Sequence, residues 1–225
     1  MEKGKYIVIE GHDGTGKSLQ VARIRQKLAD EYGIESIEFH EPEDECTPIS
    51  SVIRSVIKNG ELERDAMTNV LLFNAARHAI WQNRALPTLE DGKFVVASRN
   101  YFSTKAYQGY GEGLDLDLID EITRLSTDDQ YMKPDMACVL DLDDEEERQK
   151  RINNRHALNI RDDNTQELDK PDTFESKDNA FQNRVRLGYL AIAEELRLPV
   201  ISAKPASEIV TENIWKYIEP LINLK

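Results

Sequence analysis

The sequence has few cysteines, no long apolar run and a deficit of positive charge. Its 225 residues include only two cysteines, Cys46 and Cys138, which lie far apart and show no CxxC spacing. Neither a disulfide framework nor a zinc site is therefore expected, and a reducing, cytoplasmic setting is predicted. No stretch approaches the roughly 18 apolar residues of a membrane span, and the first apolar segment is shorter than a signal core, so we expect neither membrane insertion nor secretion.

The charge balance limits the partners of the chain. Lys and Arg number 29 against 42 Asp and Glu, which gives a net charge of −13. A field of this sign repels phosphate polymers and anionic lipid surfaces. We therefore expect no polymeric nucleic acid and no membrane as a partner. A phosphate-bearing small ligand would have to be held by a few local cations and backbone amides.

The order of apolar segments predicts an α/β fold within a single domain spanning residues 1–225. Segments with helical spacing, such as Val21, Ile24, Leu28 and Tyr32, separate short apolar runs. Such alternation is typical of a parallel sheet with helices on both faces. The five candidate strands are Tyr6–Glu10, Ile34–Phe39, Phe94–Ala97, Met136–Leu142 and Val200–Ala203.

The segment from Asp143 to Thr173 is rich in charged residues and poor in large apolar ones. We interpret it as a helix followed by a mobile flap, a lid at about 143–173, rather than as a linker between domains. The acidic run Asp141–Glu147 is expected to cap the start of that helix, where negative charge is favourable.

A phosphate-binding loop directly follows the first candidate strand. The sequence from Gly11 to Ser18 reads GHDGTGKS and matches GxxxxGK[ST] between a strand and a helix. In such a loop the glycines allow backbone N–H groups to surround phosphate, Lys17 adds a positive charge, and Ser18 can bind Mg²⁺. A glycine-rich turn with a solvated lysine is the alternative. The predicted nucleotide-binding residues are Gly11, His12, Asp13, Gly14, Thr15, Gly16, Lys17, Ser18 and Leu19.

The reaction class follows from other features. A guanine-reading Asn/Thr-Lys-x-Asp element is absent from the sequence, which argues against a switch GTPase. A small kinase needs an acceptor site and a flap that excludes water. Asp13 places a carboxylate where an acceptor or a metal-bound water could be positioned; alternatively, it is a turn residue that bonds its own backbone.

The chain resembles the thymidylate kinase family. Ile7–Ser18 resembles that family's opening pattern FEGxDGxGKST, with Leu19 in place of the final threonine. The resemblance continues in order along the chain, through His40–Pro42, Leu71–Arg77, Ser98–Arg99, Ser103–Gly109, Phe174–Glu175 and Arg184–Leu190. It implies a three-layer P-loop kinase fold, transfer of the γ-phosphoryl group of ATP to dTMP with Mg²⁺, and a homodimer.

The resemblance also assigns acceptor-site roles. It implies that Phe73 stacks on the base, Arg77 hydrogen-bonds it, and Arg99 holds the acceptor phosphate. The remaining residues that it implies for the acceptor pocket are Asp13, Asn100, Thr104, Tyr107, Gln108 and Glu175. From spacing alone, Phe73 could equally be a core residue, and Arg77 could pair with a surface carboxylate. Arg99 could equally be a solvated arginine at the end of a strand.

Three arginines, Arg148, Arg151 and Arg155, share one helix face at i, i+3 and i+7 in the predicted flap region. In family members without an arginine at the Thr15 position, flap arginines stabilise the transferring phosphoryl group, so we predict catalytic roles for Arg151 and Arg155 beside Lys17, Arg99 and Asp13. The alternative is surface ion pairs, Asp144 with Arg148 and Glu147 with Arg151.

Four positions depart from the family pattern: His40 and Thr173 replace arginines, and Ala76 and Ser98 replace acids. These changes leave two alternatives open. The chain could be a nucleotide-binding protein with weak or lost catalysis, or a kinase for another nucleotide or nucleoside.

Ordinary structural roles are expected for several other residues. His12, His78 and His156 lack metal-ligand spacing, so we expect polar surface or loop positions for them. Trp81 is expected in the core or in a dimer interface.

Overall fold

The computed structural model describes residues 3–42, 46–159, 174 and 177–222, with the side chains of 155–159 outside that description. The strands are β1 Tyr6–Gly11, β2 Ser36–His40, β3 Phe94–Ser98, β4 Met136–Asp141 and β5 Val200–Ser202. The α-helices are α1 Lys17–Tyr32, α2 Pro48–Lys58, α3 Ala66–Ile80, α4 Leu86–Glu90, α5 Tyr101–Thr104, α6 Leu116–Ser126, α7 Asp129–Met132, α8 Glu145–Asn159, α9 Asn179–Leu196 and α10 Ser207–Ile222. Two π-helical segments, Trp81–Ala85 and Lys105–Gly111, continue α3 and α5.

The five strands form one parallel sheet in the order β2-β3-β1-β4-β5. Each predicted strand is present, with ends that differ by no more than two residues, so the α/β prediction is confirmed. Ser98 lies opposite Ile9 on one side and His40 on the other. The carboxyl ends of β1, β2 and β3 therefore meet at one edge of the sheet, where ligands of such sheets bind.

Side chains on the two faces of the sheet enter separate apolar cores. Along β1, Tyr6 and Val8 belong to one core, whereas Ile7 and Ile9 belong to the other. The second core is covered by α1 and α10, and the predicted stripe of α1 lies in it: Val21, Ile24 and Leu28 are fully buried and Tyr32 packs at its margin. The strand is apolar on both faces because helices cover both.

Trp81 lies in the first core, which is one of the two alternatives considered for it. Its ring contacts those of Tyr6 and Tyr131, with centroids 5.2 and 5.1 Å away. Its indole N–H donates to Asp128 at 2.8 Å, so the buried ring keeps its polar atom satisfied.

The helix predicted after β4 is α8, and the acidic run caps it as expected. The Asp144 carboxylate accepts the backbone N–H of Glu147 at 3.0 Å, and three glutamates occupy the first turn. The flap expected after this helix falls mainly on residues 160–173, which lie outside the described residues, so the lid stays a prediction.

The segment that carries Thr104 and Gln108 differs from the regular α-helix that their spacing suggested. It is α-helical only to Thr104 and π-helical over Lys105–Gly111. Glycines allow its neighbours to approach closely: a Cβ at Gly109 would lie 2.3 Å from Leu116 Cδ2, and one at Gly111 would lie 2.7 Å from Phe181 Cε2. Within the described ranges, no helix combines the length and apolar character needed to cross a membrane.

Candidate active site

The phosphate-binding loop connects β1 to α1, and its glycines hold backbone conformations that other residues rarely adopt. Gly11, Gly14 and Gly16 have φ values of 137°, 84° and 88°. A Cβ at Gly11 would lie 2.3 Å from the carbonyl oxygen of Leu140 on β4. Gly16 precedes α1 without a side-chain cap, so the positive end of α1 faces the loop with N–H groups suited to an anion.

Lys17 and Thr15 are folded onto the loop. The Lys17 ammonium donates to the carbonyl of His12 at 3.0 Å, and the Thr15 hydroxyl donates to the same carbonyl at 2.8 Å. The Lys17 nitrogen lies 3.8 Å from an Asp13 carboxylate oxygen. The loop thus arranges its own cation beside its own carboxylate.

Ser18 and Leu19, the last two predicted nucleotide-binding residues, are exposed at the start of α1. No group of three or more His, Cys, Asp or Glu residues is arranged to hold a metal within the part of the chain that the structure describes. A single accessible hydroxyl suits Mg²⁺ that keeps most of its coordination to nucleotide oxygens and water.

His12 lies in a loop, one of the two positions expected for it, and its side chain is buried there. It is 4% exposed, and its Nε2 lies 2.7 Å from the Gln182 side-chain oxygen. The Gln182 amide nitrogen donates to the carbonyl of Phe174 at 2.8 Å, so its oxygen is left to accept from His12. Burial and the nearby Arg148 guanidinium lower the pKa of His12 to about 4. A neutral imidazole therefore links the loop to α9.

His78, by contrast, is exposed as expected, and its Nδ1 lies 2.7 Å from the Ser126 carbonyl. The side chain of His156 lies outside the described residues.

Asp13 lies at the centre of a polar cluster. Its carboxylate pairs with the Arg99 guanidinium and accepts the Tyr107 hydroxyl at 2.7 Å. Burial raises its pKa, but Arg99 and Lys17 outweigh burial and hold the pKa well below the usual range. The side chain is thus held by partners from beyond β3, rather than by the bond to its own backbone that was the alternative.

Arg99 is held by hydroxyl groups, and a buried carboxylate anchors the residues that follow it. It has a φ of 74°, and its guanidinium donates to the Ser103 and Tyr189 hydroxyls at 2.9 and 2.8 Å. Glu10, at the end of β1, accepts the backbone N–H groups of Asn100 and Ser103 at 2.8 and 3.1 Å. Arg99 is therefore not an arginine left in water.

Glu10 is a site residue that our sequence analysis missed. The sequence feature that could have indicated Glu10 is a carboxylate in a strand whose other side chains are apolar, immediately before the loop.

Arg77 is buried at 2% exposure and is held by three side chains. It donates to Glu41 at 2.9 Å, to Asn74 at 3.0 Å and to Thr104 at 3.1 Å. Glu41 also accepts the Tyr131 hydroxyl at 2.6 Å, and burial raises its pKa against the opposing effect of Arg77. The alternative of a surface carboxylate partner is thus wrong, because the partner is itself buried.

Aromatic rings line one side of the cluster. Phe73 is half-buried, and its ring centroid lies 6.3 Å from that of Phe174, which in turn lies 5.8 Å from that of Tyr107. Phe73 packs at the margin of the first core. Phe73 therefore makes the contacts of a core residue, and its ring also keeps a partly open face on which a base could stack.

Two further predicted acceptor residues are buried, each with one polar atom that lacks a partner among the described residues. Asn100 caps α5 through its side-chain oxygen, 2.9 Å from the Phe102 nitrogen, and its Nδ2 is unpaired. Gln108 donates to Glu112 at 3.3 Å, and its Oε1 is unpaired. Glu175 lies outside the described residues.

The arginines of α8 differ in their contacts. Arg148 pairs with Glu145 at 2.6 Å, not with Asp144, and also reaches the Asp13 carbonyl at 3.4 Å. Arg151 pairs with Glu147 at 2.9 Å as the alternative predicted, and donates to the Ala203 carbonyl at 3.1 Å.

Among the arginines of α8 whose side chains the structure describes, Arg148 is the one that contacts the loop. The side chain of Arg155 lies outside the described residues, so its catalytic role and that of Arg151 stay predictions.

The departures from the family pattern lie around this cluster. Ser98 and Ala76 are buried, and His40 lies opposite Ser98 at the end of β2. Glu41 supplies the carboxylate beside Arg77 that position 76 lacks. Thr173 lies outside the described residues.

Comparisons with known proteins agree with this geometry. The thymidylate kinase family model matches residues 9–214. A thymidylate kinase of Chlorobaculum parvum is 34% identical over 217 residues, covering 96% of this chain and 95% of its own length. One from Prochlorococcus marinus is 32% identical, covering 99% of this chain and all of its own length.

A solved structure of thymidylate kinase from Ehrlichia chaffeensis is similar at a TM-score of 0.72 and 26% identity, covering 96% of this chain and 99% of its own. The resemblance therefore extends from the loop motif to the whole sheet, and the P-loop kinase fold is confirmed. With the family model matched across the loop, the Arg77 helix and the Arg99 turn, the chain belongs to the thymidylate kinase family.

Proposed function

We propose that this chain transfers the γ-phosphoryl group of ATP to dTMP, giving ADP and dTDP. The observation that carries the proposal is the Asp13 cluster, in which Arg99 and Tyr107 are bound directly to the phosphate-binding loop. Arg99, which we propose holds the acceptor phosphate, thus contacts the loop that we propose holds the donor phosphates. Membership of the family supports dTMP as the acceptor.

The donor side uses fixed positive charge. The loop N–H groups, the positive end of α1 and Lys17 would surround the ATP phosphates, and Arg148 lies behind the loop at the Asp13 carbonyl. Phosphoryl transfer requires positioning and charge neutralisation more than covalent chemistry. These groups are held in place before the nucleotide binds, so little reorganisation is required.

The acceptor side depends on Arg99 and Asp13. The Arg99 guanidinium would hold the acceptor phosphate in line, since a planar cation with several donors suits a phosphate. Asp13 stays ionised because Arg99 and Lys17 lower its pKa. It therefore orients these cations rather than donating a proton.

Mg²⁺ fits the site as a partner of the nucleotide. The Ser18 hydroxyl would hold it together with phosphate oxygens. When bound, the ion would neutralise charge that develops on the phosphates.

The base would lie between the aromatic wall and Arg77. Phe73 offers a partly open ring for stacking, and Arg77 offers N–H groups beside it. The unpaired polar atoms of Asn100 and Gln108, together with Thr104, are available for the nucleoside. We include Glu175, Arg151 and Arg155 in the proposed site by resemblance.

We also propose a single domain over residues 1–225 with a lid at about 143–173, a homodimer and a cytoplasmic location. These proposals rest on the sequence pattern and the family resemblance.

The test is ADP release from MgATP with each deoxy- and ribonucleoside monophosphate and with thymidine. We expect selective turnover of dTMP, lowered about 10²–10³-fold in Lys17→Ala because a fixed cation at the phosphates is lost. Lys216→Ala, an exposed lysine on α10, is the matched control and should retain full activity. Turnover of dTMP by Lys17→Ala at the wild-type rate would contradict the proposed role of the loop.

A second candidate function is nucleotide binding with weak catalysis, which is favoured by the serine at position 98. Ser98 is buried at the end of β3 beside Arg99, where the family pattern has an acid. If this candidate holds, Ser98→Asp raises the turnover of dTMP while ATP binding stays unchanged. Unchanged turnover in a folded Ser98→Asp variant would remove the support for it.

A further inference from the structure

His40 lies at the edge of the sheet where the loop and Arg99 meet. It is the last residue of β2, opposite Ser98, and Arg99 follows Ser98 immediately. The ring is half-buried, and its Nδ1 atom is buried without a hydrogen-bond partner among the described residues. The described part of the protein therefore leaves this ring nitrogen without a partner of its own.

The charged groups that act on the His40 ring come from several elements. Glu38 lies two residues earlier on β2, Lys17 begins α1, Arg54 belongs to α2, and Arg99 follows β3. Three of these four groups are cations, so a positive charge on the ring is disfavoured in the free protein. Burial, with Lys17, Arg54 and Arg99, lowers the pKa of His40 despite the opposing effect of Glu38.

A phosphate dianion among these cations would reverse that balance. It would neutralise the repulsion that keeps the ring uncharged and would offer oxygen acceptors to a ring N–H. By linkage, a group whose pKa rises on binding takes up a proton when the ligand binds. Among the cations that keep His40 neutral, Arg99 is the one proposed above to hold the acceptor phosphate.

We propose that His40 is a binding residue for the acceptor phosphate and takes up a proton when the monophosphate binds. This inference rests on the proposed function, because it assigns the acceptor phosphate to the pocket of Arg99. It makes acceptor affinity in this chain dependent on pH, through a residue that is neutral in the free protein and charged in the complex.

Calorimetry of dTMP binding to the full chain tests the inference. Titrations at pH 7 in two phosphate-free buffers of different ionisation enthalpy give the number of protons exchanged. We expect wild type to take up a larger fraction of a proton than His40→Gln does. The dTMP phosphate titrates near pH 6 and loses its proton on binding cations. This proton release contributes equally to the proton count of wild type and of His40→Gln, so it cancels when the two counts are subtracted. His78→Gln, an exposed histidine on α3, should match wild type.

A pH series adds a second measurement. The KM for dTMP of wild type, relative to that of His40→Gln, should rise about threefold to tenfold between pH 6 and pH 8, because the protonated ring that binds the phosphate is lost as the pH rises. In His40→Arg, which carries a fixed charge, this relative rise should disappear. Thermal melts establish that each variant is folded.

The outcomes separate the two proposals. Equal proton uptake by wild type and the folded His40→Gln, with dTMP still bound and phosphorylated, overturns the role of His40 alone. No binding of dTMP to wild type overturns the role of His40 together with the proposed function.

Discussion

Arg77 shows how one side chain can be fixed by several buried partners. Glu41 accepts from Arg77 and from the Tyr131 hydroxyl, and the Arg77 guanidinium lies 5.6 Å from the centroid of the Tyr131 ring. A buried charge pair depends on hydrogen bonds that satisfy its remaining lone pairs. The Tyr131 hydroxyl therefore stabilises the pair and keeps the guanidinium in one orientation.

We expect Tyr131→Phe to destabilise the protein by about 1–2 kcal/mol, because a carboxylate buried beside Arg77 loses one of its donors. If Arg77 faces the base, the KM for dTMP should rise severalfold with kcat little changed. Urea unfolding and steady-state kinetics measure the two effects.

Tyr217→Phe is the matched control for this experiment, because that tyrosine is 49% exposed. It should change neither stability nor kinetics. A loss of kcat in Tyr131→Phe with KM unchanged would contradict a role in positioning the acceptor.

Individual residues differed in how well the sequence predicted them. Asp13 and Arg99 could be proposed from the loop motif and the strand end, and the structure brings them together. Glu41 and Tyr131 are 90 residues apart in the chain, and no local pattern connects them. Such long-range partners follow from the tertiary packing that brings Arg77 of α3 and Tyr131 of α7 to Glu41, just after β2, which a single sequence does not reveal.

At the level of elements, the strands were predictable and the π-helical segment was not. Apolar runs of strand length stand out between helical stripes, so all five strands were found. The π-helical turns over Lys105–Gly111 have no comparable periodicity. Close packing against α6 and α9 accompanies that geometry, through glycines that leave room for neighbouring side chains.

Gly188 on α9 tests this packing. A Cβ there would lie 2.7 Å from Tyr110 Cβ and 2.8 Å from Tyr110 Cγ, so Gly188→Ala would push α9 away from the segment that carries Tyr107. We expect a net loss of about 1–3 kcal/mol in the free energy of unfolding, since the clash exceeds the gain in helix propensity. Turnover of dTMP should fall as well, because Tyr107 holds Asp13.

Leu187→Ala is the control on the same helix. Leu187 is 50% exposed, so its truncation should cost less than about 0.5 kcal/mol. Chemical unfolding of both variants compares them directly, and equal stabilities would show that α9 tolerates the added methyl group.

Over the whole molecule, a strongly acidic chain concentrates its cations at one place. The net charge is −13, yet Lys17, Arg99 and Arg148 all contact the phosphate-binding loop or its aspartate. The composition predicts that a phosphate ligand would need such a local arrangement. The phosphate-binding motif indicated where this cluster of cations begins. The contact of Arg148 on α8 with the loop could be seen only in the three-dimensional structure.

The loop is also tied to the rest of the protein through a neutral histidine, and this gives the molecule a pH-dependent stability. His12 is buried against Gln182, and burial with Arg148 lowers its pKa to about 4. In the unfolded chain the same group titrates near 6.5. Its contribution to stability is therefore fully present above about pH 6.5 and is lost as the pH falls towards 4.

We expect wild type to lose about 2 kcal/mol more stability than His12→Asn between pH 7 and pH 4.5, because only wild type must keep this imidazole uncharged as the unfolded chain takes up a proton. Urea denaturation at a series of pH values measures the difference. His78→Asn removes an exposed histidine and should follow the wild-type curve. Parallel curves for wild type and His12→Asn would show that His12 can be protonated in place, and that its link to Gln182 does not require the neutral ring.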